Sequence, residues 1–223
     1  YSNMGPLSRL SFQATMPEGR SADLEQRALF HRAYERALAF AEDSQGWLVL
    51  SGPSGSGKTH LAAAIANRAV ERGQPVVFVF VPDLLDHLRS TFTPTSEVSY
   101  DQFFEQVRNA PFLVMDDLGG HSSTPWAQEK LYQILNHRYT AGMPTVITLG
   151  LPVEEMDPRW QTRLGDTGLV TLCSLGGTSA AGSLGQWGMV EPVLRRRLTF
   201  QSFDVRGNGA NLEERQSLEA ALN

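Results

Sequence analysis

Five short apolar runs punctuate this chain, and polar stretches with helical periodicity separate them. The runs are Trp47–Ser51, Val76–Val81, Phe112–Asp116, Thr145–Leu149 and Leu169–Cys173. Their apolar positions are continuous rather than alternating, which marks strands covered on both faces. Between and after them, apolar spacing predicts helices over 59–72, 83–91, 100–109 and 125–141, and a short one near 153–164. Thr124 as N-cap and Pro125 at the first helical position mark one of these starts. Ahead of the first run, Leu24, Phe30, Tyr34, Ala37, Leu38 and Ala41 recur at helical spacing, so 23–43 reads as an amphipathic helix. Asp23 with Gln26 forms a capping box at its start. Strands alternating with helices predict an α/β fold, a five-stranded parallel sheet with helices on both faces.

From Ser174 the pattern dissolves into Gly, Ser, Ala and Thr, so 174–196 reads as a flexible linker after a core over 9–173. Beyond it, Arg197-Leu198-Thr199-Phe200-Gln201 echoes Arg9-Leu10-Ser11-Phe12-Gln13, and Leu212-Glu213-Glu214-Arg215 echoes Leu24-Glu25-Gln26-Arg27. Both echoes share one offset of 188 residues (9 to 197, 24 to 212). Residues 197–223 therefore read as a partial repeat of the N-terminal segment, the start of a second module with a helix over 211–222. Residues 1–8 read as a flexible start, with Tyr1-Ser2-Asn3 ahead of Met4 as a tag remnant.

Composition narrows the classes. Of 223 residues, 41% are hydrophobic and 19% charged, the balance of an ordinary globular chain with one substantial core. No apolar run approaches the ~20 residues that span a bilayer, so the expectation is a cytoplasmic protein with no membrane partner. Cys173 is the one cysteine, which excludes an intrachain disulfide or a zinc cluster and reads as a core residue. A net charge of −5 argues against a broadly nucleic-acid-coated surface and leaves room only for local contacts.

The chemistry concentrates in Gly52-Pro53-Ser54-Gly55-Ser56-Gly57-Lys58-Thr59, which fits G-x-x-x-x-G-K-[ST] between a predicted strand and a predicted helix. Glycines there let backbone N–H groups turn inward around an anion, and the helix adds the positive end of its dipole. Lys58 would reach the β- and γ-phosphates of a nucleoside triphosphate, and the Thr59 hydroxyl would bind Mg²⁺. Asp116-Asp117 closes an apolar run, the place for a carboxylate that holds Mg²⁺ beside a phosphate loop. Asp116 suits that role, and Asp117 would orient or polarise the attacking water.

Residues 52–67, continuing through Thr59-His60-Leu61-Ala62-Ala63-Ala64-Ile65-Ala66-Asn67, resemble the helicase-loader branch of the AAA+ ATPases, the family of DnaC, DnaI and the IstB transposition helpers. Asp116-Asp117-Leu118-Gly119, Trp126 through Tyr132, Asn136 through Tyr139 and Pro144 through Thr148 are similar to the same family, over roughly residues 9–173. The resemblance implies a P-loop AAA+ core with little or no C-terminal lid, binding ATP or ADP through residues 52–60, His60 included. It implies a nucleotide-dependent homo-oligomer in which an arginine of a neighbouring subunit completes each site. Arg163 is the first candidate for that arginine and Arg159 the second. It further implies a switch in which ATP hydrolysis accompanies loading of a replicative helicase or remodelling of a DNA complex, with an IstB-like transposition helper, and hence a transposase partner, as the alternative.

Two departures from the family open a reading of another class. Gly150 stands where the family usually carries Asn at the end of the fourth strand, and His121 where an acid often follows Asp-Asp-Leu-Gly. A chain with these changes could bind ATP as a scaffold without hydrolysing it. No Arg-rich lid segment of the kind a small-molecule kinase needs is visible. Single-stranded DNA is a further expected partner, with Arg89 beside Phe92, Arg108, and the cluster Arg195-Arg196-Arg197 as candidate contacts.

Overall fold

Each of the five apolar runs forms a strand of one parallel sheet. In the computed structural model the strands are β1 (Trp47–Ser51), β2 (Val76–Phe80), β3 (Phe112–Leu118), β4 (Thr145–Leu149) and β5 (Val170–Ser174). Their order across the sheet is β2-β3-β4-β1-β5, and every pairing is parallel. The helices are α1 (Leu24–Asp43), α2 (Lys58–Glu71), α3 (Val81–Ser90), α4 (Tyr100–Arg108), α5 (Pro125–Thr140) and α6 (Pro158–Leu164). The structure describes residues 4–90, 100–119 and 124–176. These fall within one unit, Tyr1–Gly177, and the second unit, Thr178–Asn223, lies outside the described residues. The repeat at 197–223, most of the 174–196 linker, the lid expectation, Phe92, His121 and Arg195–Arg197 therefore lie outside them as well.

Successive strand residues point to opposite faces, and each face has its own core. One side packs Trp47, Val49, Val79, Leu113, Met115, Ile147 and Leu149 against α3, α4, α5 and α6. The other packs Leu48, Leu50, Phe78, Val114 and Val146 against α1 and α2. The alanines decide how closely that second layer sits. Ala33, Ala37 and Ala41 of α1 recur at i+4 and meet the alanine-rich face of α2, with all of them buried. Among the described residues no helix is long and apolar enough to cross a membrane.

Several boundaries move for identifiable reasons. Val81 opens α3 instead of closing β2, and β3 continues past Asp116 to Leu118. The helix expected near 153–164 divides into a 3-10 turn at Val153–Glu155 and α6. Pro158 disfavours helical geometry at the residue before it, and Asp157 instead caps α6 by accepting from the Arg159 N–H at 2.9 Å. The capping box at α1 is built differently from the expected one. Asp23 accepts from the Glu25 N–H at 2.8 Å, while the Ser21 hydroxyl accepts from the Asp23 N–H and donates to Gln26 Oε1. Thr124 caps α5 through the Ala127 N–H, as its sequence position suggests.

The segment before α1 lies across α2. Phe12 is buried and meets Tyr34 edge-on, with ring centroids 5.5 Å apart. Asn67 Nδ2 donates to the carbonyls of Leu7 (2.9 Å) and Leu10 (2.6 Å). Even Gly5–Leu7, inside the expected flexible start, forms a 3-10 turn whose Leu7 packs on the core.

Candidate functional site

The parallel order brings the carboxyl ends of β1, β3 and β4 to one edge of the sheet, where loops and helix N-termini gather. A cleft of about 420 Å³ opens there, lined by Ser54, Gly55, Gly57, Lys58, Thr59, His60, Phe80, Asp116, Asp117, Thr148 and Gly150. Most of the phosphate-loop residues read from the sequence line it, and Asp116 and Asp117 join them from β3.

Glycine is obligatory at two places in the loop. A Cβ on Gly52 (φ +153°) would lie 2.3 Å from the Leu175 carbonyl oxygen, because β5 runs alongside and the Leu175 N–H donates to the Ser51 carbonyl. A Cβ on Gly57 (φ +95°) would lie 2.7 Å from a ring carbon of Phe30 on α1. Gly57 is also the left-handed N-cap of α2, so the first N–H groups of that helix open into the loop.

Lys58 is buried at 8% exposure, and its ammonium donates to the Pro53 carbonyl at 2.7 Å and to Ser56 Oγ at 3.5 Å. Burial pushes its pKa down, and the charges of Asp116 and Asp117 oppose that shift. Asp116 is 4% exposed. The Thr59 hydroxyl lies 3.0 Å from both of its carboxylate oxygens, and the Thr148 hydroxyl donates to Oδ1 at 2.7 Å. Burial raises the Asp116 pKa, the two hydroxyl donors pull it back, Asp117 raises it and Lys58 lowers it. The donor set is hard oxygen from one hydroxyl and neighbouring carboxylates. That set suits a Mg²⁺ ion that keeps most of its ligands as water and phosphate. No cluster of three or more His, Cys, Asp or Glu side chains that could cage a metal occurs among the described residues.

Sequence reasoning passed over two residues. In the sequence Thr148 is a strand residue within the Pro144–Thr148 family run, and since threonine is an ordinary strand former nothing there marks its role. Arg138 is wholly buried, with its guanidinium donating to Thr145 Oγ1 (2.9 Å), the Arg108 carbonyl (3.1 Å), the Ala110 carbonyl (2.7 Å) and the Pro144 carbonyl (2.6 Å). Burial pushes its pKa down to about 10, so it stays charged at neutral pH. A signal existed. Leu131, Ile134, Leu135 and Arg138 follow i, i+3, i+4, i+7 spacing, which puts the arginine on the buried stripe of α5.

The two arginine candidates lie on α6 and do not line the cleft of their own chain. Arg163 donates to Asn136 Oδ1 at 3.0 Å and stacks over Tyr139 at 4.7 Å. Arg159 is exposed, pairs with Asp157 and Glu129, and lies 5.2 Å from the Tyr132 ring centroid. Of the nucleic-acid candidates, Arg89 lies 5.4 Å over Trp126 and pairs with Asp86. Arg108 pairs with Glu105 and faces Phe104 at 6.0 Å. Lys130 of α5 joins that group between Tyr100 and Phe104, at 5.4 and 5.5 Å.

Comparison with known proteins places this geometry. A family model described as IstB-like ATP binding protein matches residues 8–173. The replicative helicase loader DnaC of Escherichia coli is 31% identical over 127 residues, which is 56% of this chain and 51% of that protein. The replicative helicase loader DnaI of Bacillus subtilis is 27% identical over 145 residues, covering 64% and 46%. The chain thus spans about half the length of the curated relatives it matches. Among solved structures, a crystal structure of the DnaC helicase loader superposes with a TM-score of 0.60 at 23% identity, covering 77% of this chain and 99% of the other. AMPPCP-bound DnaA from Aquifex aeolicus gives 0.59 at 17% identity, covering 96% and 65%. At these identities the superpositions establish the shared fold.

Proposed function

The chain belongs to the IstB-like ATP-binding family, and from that premise we propose that it is a nucleotide-driven switch that binds ATP with Mg²⁺ and hydrolyses it. The observation that carries the reading is the contact of Thr59 with Asp116 beside the Lys58 ammonium, at the opening of a phosphate loop. Lys58 exchanges the Pro53 carbonyl for β- and γ-phosphate oxygens. Thr59 and Asp116 would hold Mg²⁺, which would supply charge neutralisation on the phosphates when bound. Asp117 orients the attacking water. The water oxygen bonds to the γ-phosphorus as the bond to the β–γ bridging oxygen breaks. The electron pair leaves on ADP, one of the water's two protons stays on the phosphate and the other passes to solvent. Arg163, or Arg159 in its place, reaches the site of a neighbouring copy and offsets charge on the transferring group.

The switch acts on a larger machine, a replicative helicase in the first reading or a transposase in the second. It works in the cytoplasm as a nucleotide-dependent homo-oligomer. The cations and rings at Arg89, Trp126, Lys130, Phe104 and Arg108 support single-stranded DNA as a further partner, since such pairs suit phosphate and base together. Gly150 supports one rival, an ATP-binding scaffold without turnover. Binding of a fluorescent ATP analogue and steady-state turnover, each on wild type and Lys58→Ala, test the proposal. Losing a charge-assisted hydrogen bond costs about 1.5–3 kcal/mol, so Lys58→Ala should bind roughly 10–150-fold more weakly and turn over nothing. Wild-type binding without turnover selects the scaffold, and no binding refutes both.

A further inference from the structure

The two acids at the end of β3 are placed by an irregularity. β3 pairs with β4 through Met115↔Ile147 and then Leu118↔Leu149, three steps along β3 against two along β4. One extra residue is therefore inserted, and Asp116 and Asp117 together face the single residue Thr148. Bulges of this kind bend a strand and re-aim its side chains. Asp117 absorbs the distortion at φ +61°, the one non-glycine residue in the left-handed region of φ among the described residues. That conformation is costly for an L-residue, though least so for Asp and Asn.

Thr148 meets both demands of the bulge with one hydroxyl. Its oxygen accepts the Asp117 N–H at 2.9 Å, and its proton goes to Asp116 Oδ1 at 2.7 Å. Thr148 is 1% exposed, which shields both bonds from bulk water. Turned this way, Asp117 Oδ1 lies 3.8 Å from where a Cβ on Gly150 would stand, the one atom within 4 Å of that point among the described residues outside 149–151. The missing side chain of Gly150 leaves room that the Asp117 carboxylate borders.

We propose that Thr148 is a positioning residue for hydrolysis, whose hydroxyl locks the β3 bulge so that Asp117 holds the attacking water in the space before Gly150. This rests on the ATPase reading. Asp117, one methylene shorter than a glutamate, gains its reach from the left-handed backbone. The phosphate loop on β1 and α2 makes no use of the Asp117 bond, and the Asp116 bond bears on the metal, so metal-free binding and turnover should separate.

The test uses the full chain with Thr148→Val, which keeps shape and removes the hydroxyl, and Thr148→Ser, which keeps the hydroxyl. Removing one positioned group at a reacting centre typically costs ~10²–10³ in rate. Thr148→Val should lose about 10²-fold in kcat, while its dissociation constant for a fluorescent ATP analogue, measured without Mg²⁺ so that the lost Asp116 contact does not enter, stays within about threefold of wild type, which also reports that it folds. Thr148→Ser should recover kcat to within about threefold. A Val variant with wild-type kcat, a Ser variant as slow as Val, or binding that falls in step with kcat each overturns the assignment while leaving the ATPase reading standing. A wild type that binds nucleotide with no turnover overturns both.

Discussion

Replacing Arg138 by methionine keeps an unbranched stem as far as the position of Nε and deletes the guanidinium donors, and it should destabilise the fold by about 3 kcal/mol. Three carbonyls lose a donor, those of Arg108, Ala110 and Pro144, and the Thr145 hydroxyl loses a fourth contact. The Pro144 carbonyl keeps the Leu113 N–H at 3.2 Å, and each buried acceptor left without a donor costs about 1–3 kcal/mol. Relief of the guanidinium's own burial offsets part of that loss, because among the described residues no carboxylate accepts from it. For a chain of this length each kcal/mol moves Tm by roughly 2–4 °C, so thermal unfolding followed by circular dichroism should show a drop of about 6–12 °C. Lysine should not rescue. Its donors radiate from one nitrogen, whereas the fork reaches the turns before β3 and β4 at once. A Met variant within about 2 °C of wild type, or a Lys variant equal to wild type, would refute the claim that fork geometry holds these strands in register.

The remaining predictions concern the loop and α6. Gly52→Ala should abolish binding of the fluorescent ATP analogue, since its Cβ would sit 2.3 Å from the Leu175 carbonyl and must displace β5 or the loop; wild-type binding would contradict that packing. Arg163→Ala should bind nucleotide within about twofold of wild type while turnover falls about 10²-fold or more. Mixing it with Lys58→Ala should restore part of the activity, because a mixed assembly pairs an intact loop with an intact arginine, and a mixture as inactive as its parts would remove the arginine from the neighbouring site.

The sheet was legible because parallel strands covered on both faces are apolar at nearly every position, and β1 and β4 run as read. Errors fell where a short-range competitor overrides periodicity. Pro158 splits the last helix, and Ser21 takes over part of the expected capping box. The apolar run ends β3 at Asp116 in the sequence, whereas a bulge carries the strand through both acids to Leu118. Thr148 and Arg138 were illegible in role for a different reason. What they do depends on partners 31 residues away (Asp117 from Thr148) and 28 residues away (Ala110 from Arg138), and no local pattern encodes those pairings.

Gly150 shows why a single departure from a family pattern is a poor guide to lost chemistry. Read along the chain, it is a missing polar side chain beside a phosphate site. In the fold its neighbour across the cleft is Asp117, turned toward it by a backbone conformation few residues tolerate and held there by Thr148. An asparagine at 150 would project its amide toward that carboxylate and compete with water for it. The glycine, the left-handed aspartate and the threonine therefore form one arrangement. A change at any of the three should be judged by what it does to the other two. For that reason Gly150→Asn alone cannot be assumed to repair the site, and the order of turnover among Gly150→Asn, Thr148→Val and their double variant reports the coupling directly. If the two changes act through the same carboxylate their effects will be non-additive, and strictly additive losses would separate them.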